Sequence, residues 1–299
     1  MAMNNTEFAA FLKEQLESQK NIYVPVNSSF LEKVIHASAK PTDLHPNPED
    51  EFCFPSVGPS YRIIGEYEAK YVEVLQGGGR PDIEPLTVLK AHPNGYILVN
   101  GHHRWAAALK VGMKRVPIKI INVMLEKDIR KVLENSVHDK RVTLDLDEVV
   151  FRAEGDTLVE KAPGFIFGKI FSKRVRLGIP ALFKYLKSNG YDIWVYTSES
   201  YSIDDLERFF KKYAVYVDGI MTGFKNKKSY ESEASKAMRE LIANKYKETI
   251  HIDNDLLLIT HSNSSDFEEF DLNPDDANWS KSIIDIMEER DKAQADSQN

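Results

Sequence analysis

The chain has 299 residues, 42% hydrophobic and 10% aromatic, enough for two domains with real cores and too apolar for a disordered protein. A net charge of −7 argues against a broadly basic nucleic-acid surface, although a local basic patch stays open. No apolar run of about 18 residues marks a membrane span. The N-terminus has neither a basic start nor an unbroken apolar stretch, and the single cysteine, Cys53, excludes an internal disulfide framework and a cysteine-based zinc cluster, so a cytoplasmic setting is expected.

In chain order, residues 1–40 read as a helical segment, because Phe8, Phe11, Leu12 and Leu16 recur at three- and four-residue spacings. A loop rich in proline and acids follows, "KPTDLHPNPEDEFCFPSVGPS". Residues 41–124 then predict a first α/β domain. It holds a short helix around Tyr67 to Leu75, the turn "QGGGRP", strands "EPLTVL" and "GYILV", a helix from near Arg104 to "KVG", and the strand "VPIKIINV". A charged linking helix over 125–140, "LEKDIRKVLENSVHDK", contains the domain boundary. Residues 141–290 form the second domain, and 291–299 read as a solvated tail.

The second domain opens on "KRVTLDLDEVVF". Val142 to Leu144 and Leu146 predict a buried strand of a parallel sheet, and alternation puts Asp145 and Asp147 on one side. Two close carboxylates require a cation, a proton or hydrogen bonds to offset their repulsion and lost solvation. Helix "IPALFKYLKSNG" has Pro180 at its start and Gly190 past its end, and strand "YDIWVYTS" follows. Ser202 and Asp205 form a capping pair for the next helix. "AVYVDGIMTG", "SYESEASKAMRELIANKY" and "TIHIDND" then predict strand, helix and strand. This order implies a parallel, Rossmann-like sheet.

Three of these strands end in polar residues: Asp145 and Asp147, Thr197 and Ser198, then Asp253, Asn254 and Asp255. In a parallel sheet those ends share one edge, where open α/β sheets bind ligands. Carboxylates, a hydroxyl and a lysine of the turn "GFKNKKSY" can together handle a phosphate and a hard cation. Magnesium suits Asp145, Asp253 and a backbone carbonyl, since it prefers oxygen ligands and keeps some waters. One carboxylate can attack phosphorus, and a second can move protons.

"DLDEVV", "VYTS", the lysine turn and "IDND" together resemble the ordered motifs of the haloacid dehalogenase-like phosphohydrolases. That resemblance implies a Rossmann-like domain with a parallel sheet, magnesium, a phosphorylated substrate and specific roles. Asp145 falls on the nucleophile, Asp147 on the general acid/base and Thr197 on the hydroxyl that binds the transferring phosphate. The lysine is Lys225 or Lys228. The metal set is Asp145, Asp147, Asp253 and Asn254, the last departing from a second aspartate common in close relatives. The insertion "RAEGDTLVEKAPGFIFGKIFSKRVRL" stands where a small cap would sit.

In the first domain, Gly101 permits a tight turn, and His102, His103 and Arg104 open a helix whose N–H groups and dipole favour an anion. "EPLTV", "YILVNGHHRWAAALKVG" and "VPIKII" resemble the ParB/sulfiredoxin fold. The sulfiredoxin cysteine position holds His102, and the Gly-Glu-Arg-Arg of partition proteins is Gly-His-His-Arg here. The double histidine is most similar to the free serine kinases on this fold. That branch implies ATP or another nucleotide at Gly101 to Arg104 and a glutamate base at Glu49, with Glu51 as the alternative and Glu84 just before the second strand. Two readings follow from this. In one the first domain is a kinase fused to a phosphatase; in the other it is a nucleotide- or nucleic-acid-binding module that targets the phosphatase.

Overall fold

A computed structural model describes residues 3–18, 22–78, 82–153, 155–161, 173–223, 233–262 and 264–297. The chain divides into two compact units. The first runs to Leu125 and takes in Ser200–Ser202, and the second runs onward from Glu126. Among the described residues no helix is long and apolar enough to cross a membrane.

The first unit opens with helix α1 (Asn5–Ser18). Asn4 and Glu7 cap it reciprocally, with each side chain accepting the other's backbone N–H at 2.8–2.9 Å. Phe8 and Leu12 enter the core, where Phe8 meets Trp105 edge-on at 6.0 Å between ring centroids. The helical reading of residues 1–40 holds for this stretch and for a short second helix, with strands before and after the latter. Strand β1 (Val24–Val26), the short helix α2 (Phe30–Ile35) and strand β2 (Ser38–Ala39) follow. Pro25 lacks an N–H and suits an extended segment, and Ser29 with Glu32 forms a capping box that starts α2 afresh.

Strands β3 (Leu44–His45), β4 (Leu86–His92), β5 (Tyr96–Asn100) and β6 (Val116–Ile120) complete this sheet. Its order is β2-β6-β4-β5-β3, and β1 also pairs with β4. Helices α3 (Tyr61–Leu75) and α4 (His102–Val111) pack against each other beside it. The core includes Leu44, Val88, Leu98, Trp105 and Val116. Trp105 donates its indole N–H to the Pro41 carbonyl at 2.9 Å, so this buried polar group is satisfied.

The second unit begins with α5 (Glu126–Asn135) and strand β7 (Lys140–Asp145). A two-stranded arm of β8 (Phe151–Arg152) and β9 (Arg174–Val175) follows, then α6 (Ile179–Ser188), β10 (Tyr191–Tyr196) and α7 (Ile203–Lys212). Strand β11 (Gly219–Met221), helix α8 (Glu233–Lys245) and strand β12 (Glu248–Ile252) continue the alternation. Strands β13 (Leu256–His261) and β14 (Phe267–Asp271) and helix α9 (Trp279–Ser297) close the unit.

The sheet order is β11-β10-β7-β12-β13-β14. The first four strands are parallel, and β13 and β14 add to the edge as antiparallel strands. Numbered by their appearance in the chain, the four parallel strands run 3-2-1-4, the order of a doubly wound sheet. The direction of winding reverses between β7 and β12. Tyr191 to Val195 are all buried, as expected for a strand covered on both faces.

Helix α9 extends through residues that the composition suggests are a solvated tail. Its Trp279, Ile283 and Met287 are buried. Arg290, also buried, donates to Glu248 at 2.7 Å and Glu268 at 2.9 Å, and Tyr191 donates to Glu248 at 2.9 Å. Hydrogen bonds and ion pairs thereby satisfy a charge that burial alone would penalise.

Candidate functional site

Strand β7 stops at Asp145 because of Asp145 itself. Its Oδ1 accepts the N–H groups of Asp147 at 2.7 Å and Glu148 at 2.8 Å, which turns the chain into a single π-helical turn over Leu146–Val150. The strand therefore does not run through Leu146, and Asp147 reaches the site from a turn rather than by strand alternation. Both amides share one carboxylate oxygen, so Oδ2 faces away from this cap.

Asp147 forms a tight cluster. One of its oxygens pairs with Lys173 Nζ, and the other accepts the hydroxyl of Thr197. Thr197 follows β10, is buried, and accepts the Glu199 N–H at 3.0 Å. Lys173 lies at the end of the insertion, just before β9, which pairs with β8 immediately beyond the turn. Sequence reading missed this lysine because it assigned the cation to the turn after β11. Lys225 and Lys228, the two residues named there, lie outside the described residues.

Asp253 follows β12. Leu144 and Ile252 are register partners on β7 and β12, so Asp145 and Asp253 leave adjacent strands at the same level. Both line one cleft of about 520 Å³, together with Arg141, Thr143, His251 and Arg239. Asp253 Oδ1 accepts the Asn254 N–H at 2.7 Å. Asn254 points elsewhere: its Oδ1 accepts from Arg176 at 2.8 Å, and its carbonyl accepts from Trp279 at 2.7 Å. Arg176 is buried 3.7 Å over the Trp279 ring, and burial lowers its pKa to about 10, with Arg152 adding like-charge repulsion. The four residues expected to hold a metal thus divide between the cleft (Asp145 and Asp253), a lysine pair (Asp147) and an arginine clamp (Asn254). Among the described residues no three His, Cys, Asp or Glu side chains converge to hold a metal ion.

In the first unit, Gly101 sits at φ +99° just before α4. A Cβ there would come within 2.6 Å of Leu86 Cδ2 and 2.9 Å of Arg104 Nε, so glycine is required both by backbone angle and by space. The histidines turn inward toward the loop before α3. His102 Nε2 accepts the Asn47 N–H at 3.2 Å, and its Nδ1 lies 3.6 Å from Asp50. His103 Nε2 accepts the Ser60 N–H at 3.0 Å, with Phe52 edge-on at 5.0 Å. Arg104 is buried, donates to Glu84 at 2.8 Å and lies 3.4 Å from Asn100 Oδ1. Glu49 is exposed on the loop held by His102, and its N–H donates to Asn47 Oδ1 at 3.1 Å. The carboxylate that meets Arg104 is Glu84.

Burial holds the His103 imidazole below its ordinary pKa of 6.5, against the raising pull of Asp50. The neutral ring accepts the Ser60 amide and cannot do so once Nε2 is protonated. The unfolded chain takes the proton more readily, so the stability from this ring is present above about pH 6.5 and is lost as pH falls through the lower folded value. Thermal melts of the full chain between about pH 7.5 and 5.5 are expected to show a falling midpoint. His103→Gln, whose amide oxygen can accept the same N–H, is expected to remove part of that slope. An unchanged slope in the variant would show that this histidine is not linked to stability.

Residues 76–137 match the ParB N-terminal domain family. The matched stretch carries β4, β5, α4, β6 and α5, and so includes the Gly101–Arg104 turn. It leaves out Asp145, Thr197 and Asp253. No curated protein matches the chain. Among solved structures, a chain from the Pnkp1/Rnl/Hen1 RNA repair complex is similar at 16% identity with a TM-score of 0.24. That likeness covers 48% of this chain and 45% of the other.

Proposed function

We propose that the second unit is a magnesium-dependent phosphomonoesterase of the haloacid dehalogenase-like kind, acting through an aspartyl-phosphate on Asp145. One observation carries the reading. Asp145 and Asp253 leave adjacent parallel strands at the same level, at the point where the sheet's winding reverses, and share one cleft. Doubly wound sheets bind ligands at that point.

The donors fit the metal that the resemblance implies. Asp145 and Asp253 supply two hard oxygen ligands, and magnesium is commonly held by one or two carboxylates, with substrate oxygens and water completing the shell. When bound, magnesium would neutralise charge on the phosphoryl oxygens. The remaining work falls to the chain. Oδ1 of Asp145 is anchored by two amides, which leaves Oδ2 to attack phosphorus. A P–O bond forms to Asp145 as the bond to the leaving oxygen breaks, and Asp147 gives that oxygen a proton. Asp147 then takes a proton from water, which attacks the phosphoaspartate and releases phosphate. Thr197 and Lys173 are suited to hold phosphoryl oxygens, so an arriving phosphate would replace Asp147 as their partner and release it for proton transfer.

Hydrolysis of a generic aryl phosphate with magnesium tests this reading. Asp145→Asn is expected to abolish turnover, and Asp147→Asn to slow it by about 10²–10⁴-fold. Full activity in Asp145→Asn would overturn the mechanism.

We read the first unit as a nucleotide-binding module joined to this phosphatase. The binding reading is preferred to a kinase because Glu49, the base a kinase would need, is exposed on its loop, and the carboxylate that meets Arg104 is Glu84. On this reading ATP or another nucleotide binds in a titration and is not turned over, and Arg104→Ala weakens binding while aryl-phosphate hydrolysis persists. Steady nucleotide turnover that Arg104→Ala abolishes would favour the kinase instead.

A further inference from the structure

A parallel sheet covered by helices ordinarily presents apolar side chains to the covering layer. One face of β7 and β12 does not. Arg141, Thr143 and Asp145 occupy alternate positions on β7, and His251 on β12 and Asp253 just past its end keep the same spacing. All five line the cleft, with Arg239 of α8 contributing from the helix layer. His251 is exposed even though β12 is flanked by strands on both sides. Thr143 Oγ1 and His251 Nδ1 lie 2.8 Å apart, so these polar groups line an open cleft and hold one another in place.

The charge in this cleft is unevenly placed. Asp145 and Asp253, at the carboxyl ends of their strands, are the only acids among the described residues lining it. Arg141 precedes Asp145 by four residues, about 13 Å along the strand at ~3.3 Å per residue. Its Nε donates to Thr249 Oγ1 at 2.9 Å, and its guanidinium lies 5.4 Å over the Tyr246 ring, so its position is fixed before any ligand arrives. Arginine held in this way recognises an oxyanion well, because little conformational freedom remains to be lost. Leu256, Leu258 and Ala243 supply apolar wall for the body of a ligand, and a cleft of about 520 Å³ lies within the usual range for small-molecule sites.

We propose that the cleft is the substrate pocket of the phosphatase reading, on which this inference rests. Its ligand is a phosphomonoester of nucleotide size that carries a second anionic group. The reacting phosphate sits at Asp145 and Asp253, and the second anion is held by Arg141 and Arg239.

Calorimetric titration of the full chain in an Asp145→Asn background, which blocks turnover, tests the pocket without depending on activity. The probes are adenosine 3′,5′-bisphosphate, adenosine 5′-monophosphate and adenosine. The bisphosphate is expected to bind about tenfold or more tightly than the monophosphate, as a charge-assisted contact would give. Arg141→Gln and Arg239→Gln are each expected to remove that margin. Arg141 lies on a central strand, so Arg239→Gln on the helix remains informative if Arg141→Gln fails to fold. Equal affinity for the two phosphates, or a margin that survives both substitutions, would overturn the proposal. Hydrolysis of aryl phosphate by the wild-type chain tests the other claim separately. If there is none, the phosphatase reading fails, and the titration still decides whether the pocket binds a doubly anionic ligand.

Discussion

The pairing of β7 between β10 and β12 is the constraint on which the second unit depends. Val142 and Leu144 are buried on this central strand, and both neighbours run parallel to it. Parallel pairing brings the carboxyl ends of β10, β7 and β12 to one edge. The strand can end there only if the first charged residue beyond the core finds partners, and Asp145 does so by accepting two amides of the turn it creates. The same two bonds give the site its geometry. They fix Asp145 and carry Asp147 off the sheet toward Thr197 and Lys173, while the register of β7 with β12 sets Asp253, just past β12, level with Asp145.

The first unit solves a different problem with similar residues. Its sheet mixes parallel and antiparallel pairs, and α4 must start hard against Leu86, which only a glycine at position 101 allows. The two histidines that follow hold a long loop by accepting its amides, and that loop carries a single 3-10 turn over Glu51–Cys53. Arg104 and Arg176 are both buried guanidiniums, yet they are stabilised differently. Arg104 has the carboxylate of Glu84, whereas Arg176 has amide and carbonyl oxygens and an aromatic face. Burial lowers the Arg176 pKa to about 10, and the like charge of Arg152 adds to the shift against the raising pull of Asp156 and Asp275.

Much of this was legible in the sequence where a local signal coincided with a tertiary one. The run from Val142 to Leu144 reads as a buried strand, and it is one, although the strand ends at Asp145 instead of continuing through Leu146. Pro180 and Gly190 bracket α6, with Gly190 at φ +78°. The turn "NGHHR" marks the start of α4, and the matched ParB N-terminal domain family includes it. What was lost depended on contacts between residues far apart in the chain. Helical spacing in residues 1–40 could not show that β1 pairs with β4, 68 residues on by the register Val24↔His92. The polar composition after residue 290 hid a helix that Arg290 secures through Glu248 and Glu268. Asn254 looked like a ligand because its capture by Arg176 joins two separate segments of the chain, and Lys173 was overlooked because its partner, Asp147, lies 26 residues before it.

The central claim is that Asp145 forms a covalent bond to phosphorus. The most direct measurement is rapid acid quenching of the full chain during turnover of a phosphorylated substrate with magnesium, followed by mass spectrometry of the peptide containing Asp145. The account predicts one added phosphoryl group on that peptide, absent in Asp145→Asn and lost on treatment with hydroxylamine. A chain that turns over substrate with no phosphoryl group on Asp145, or with one on another residue, would contradict it.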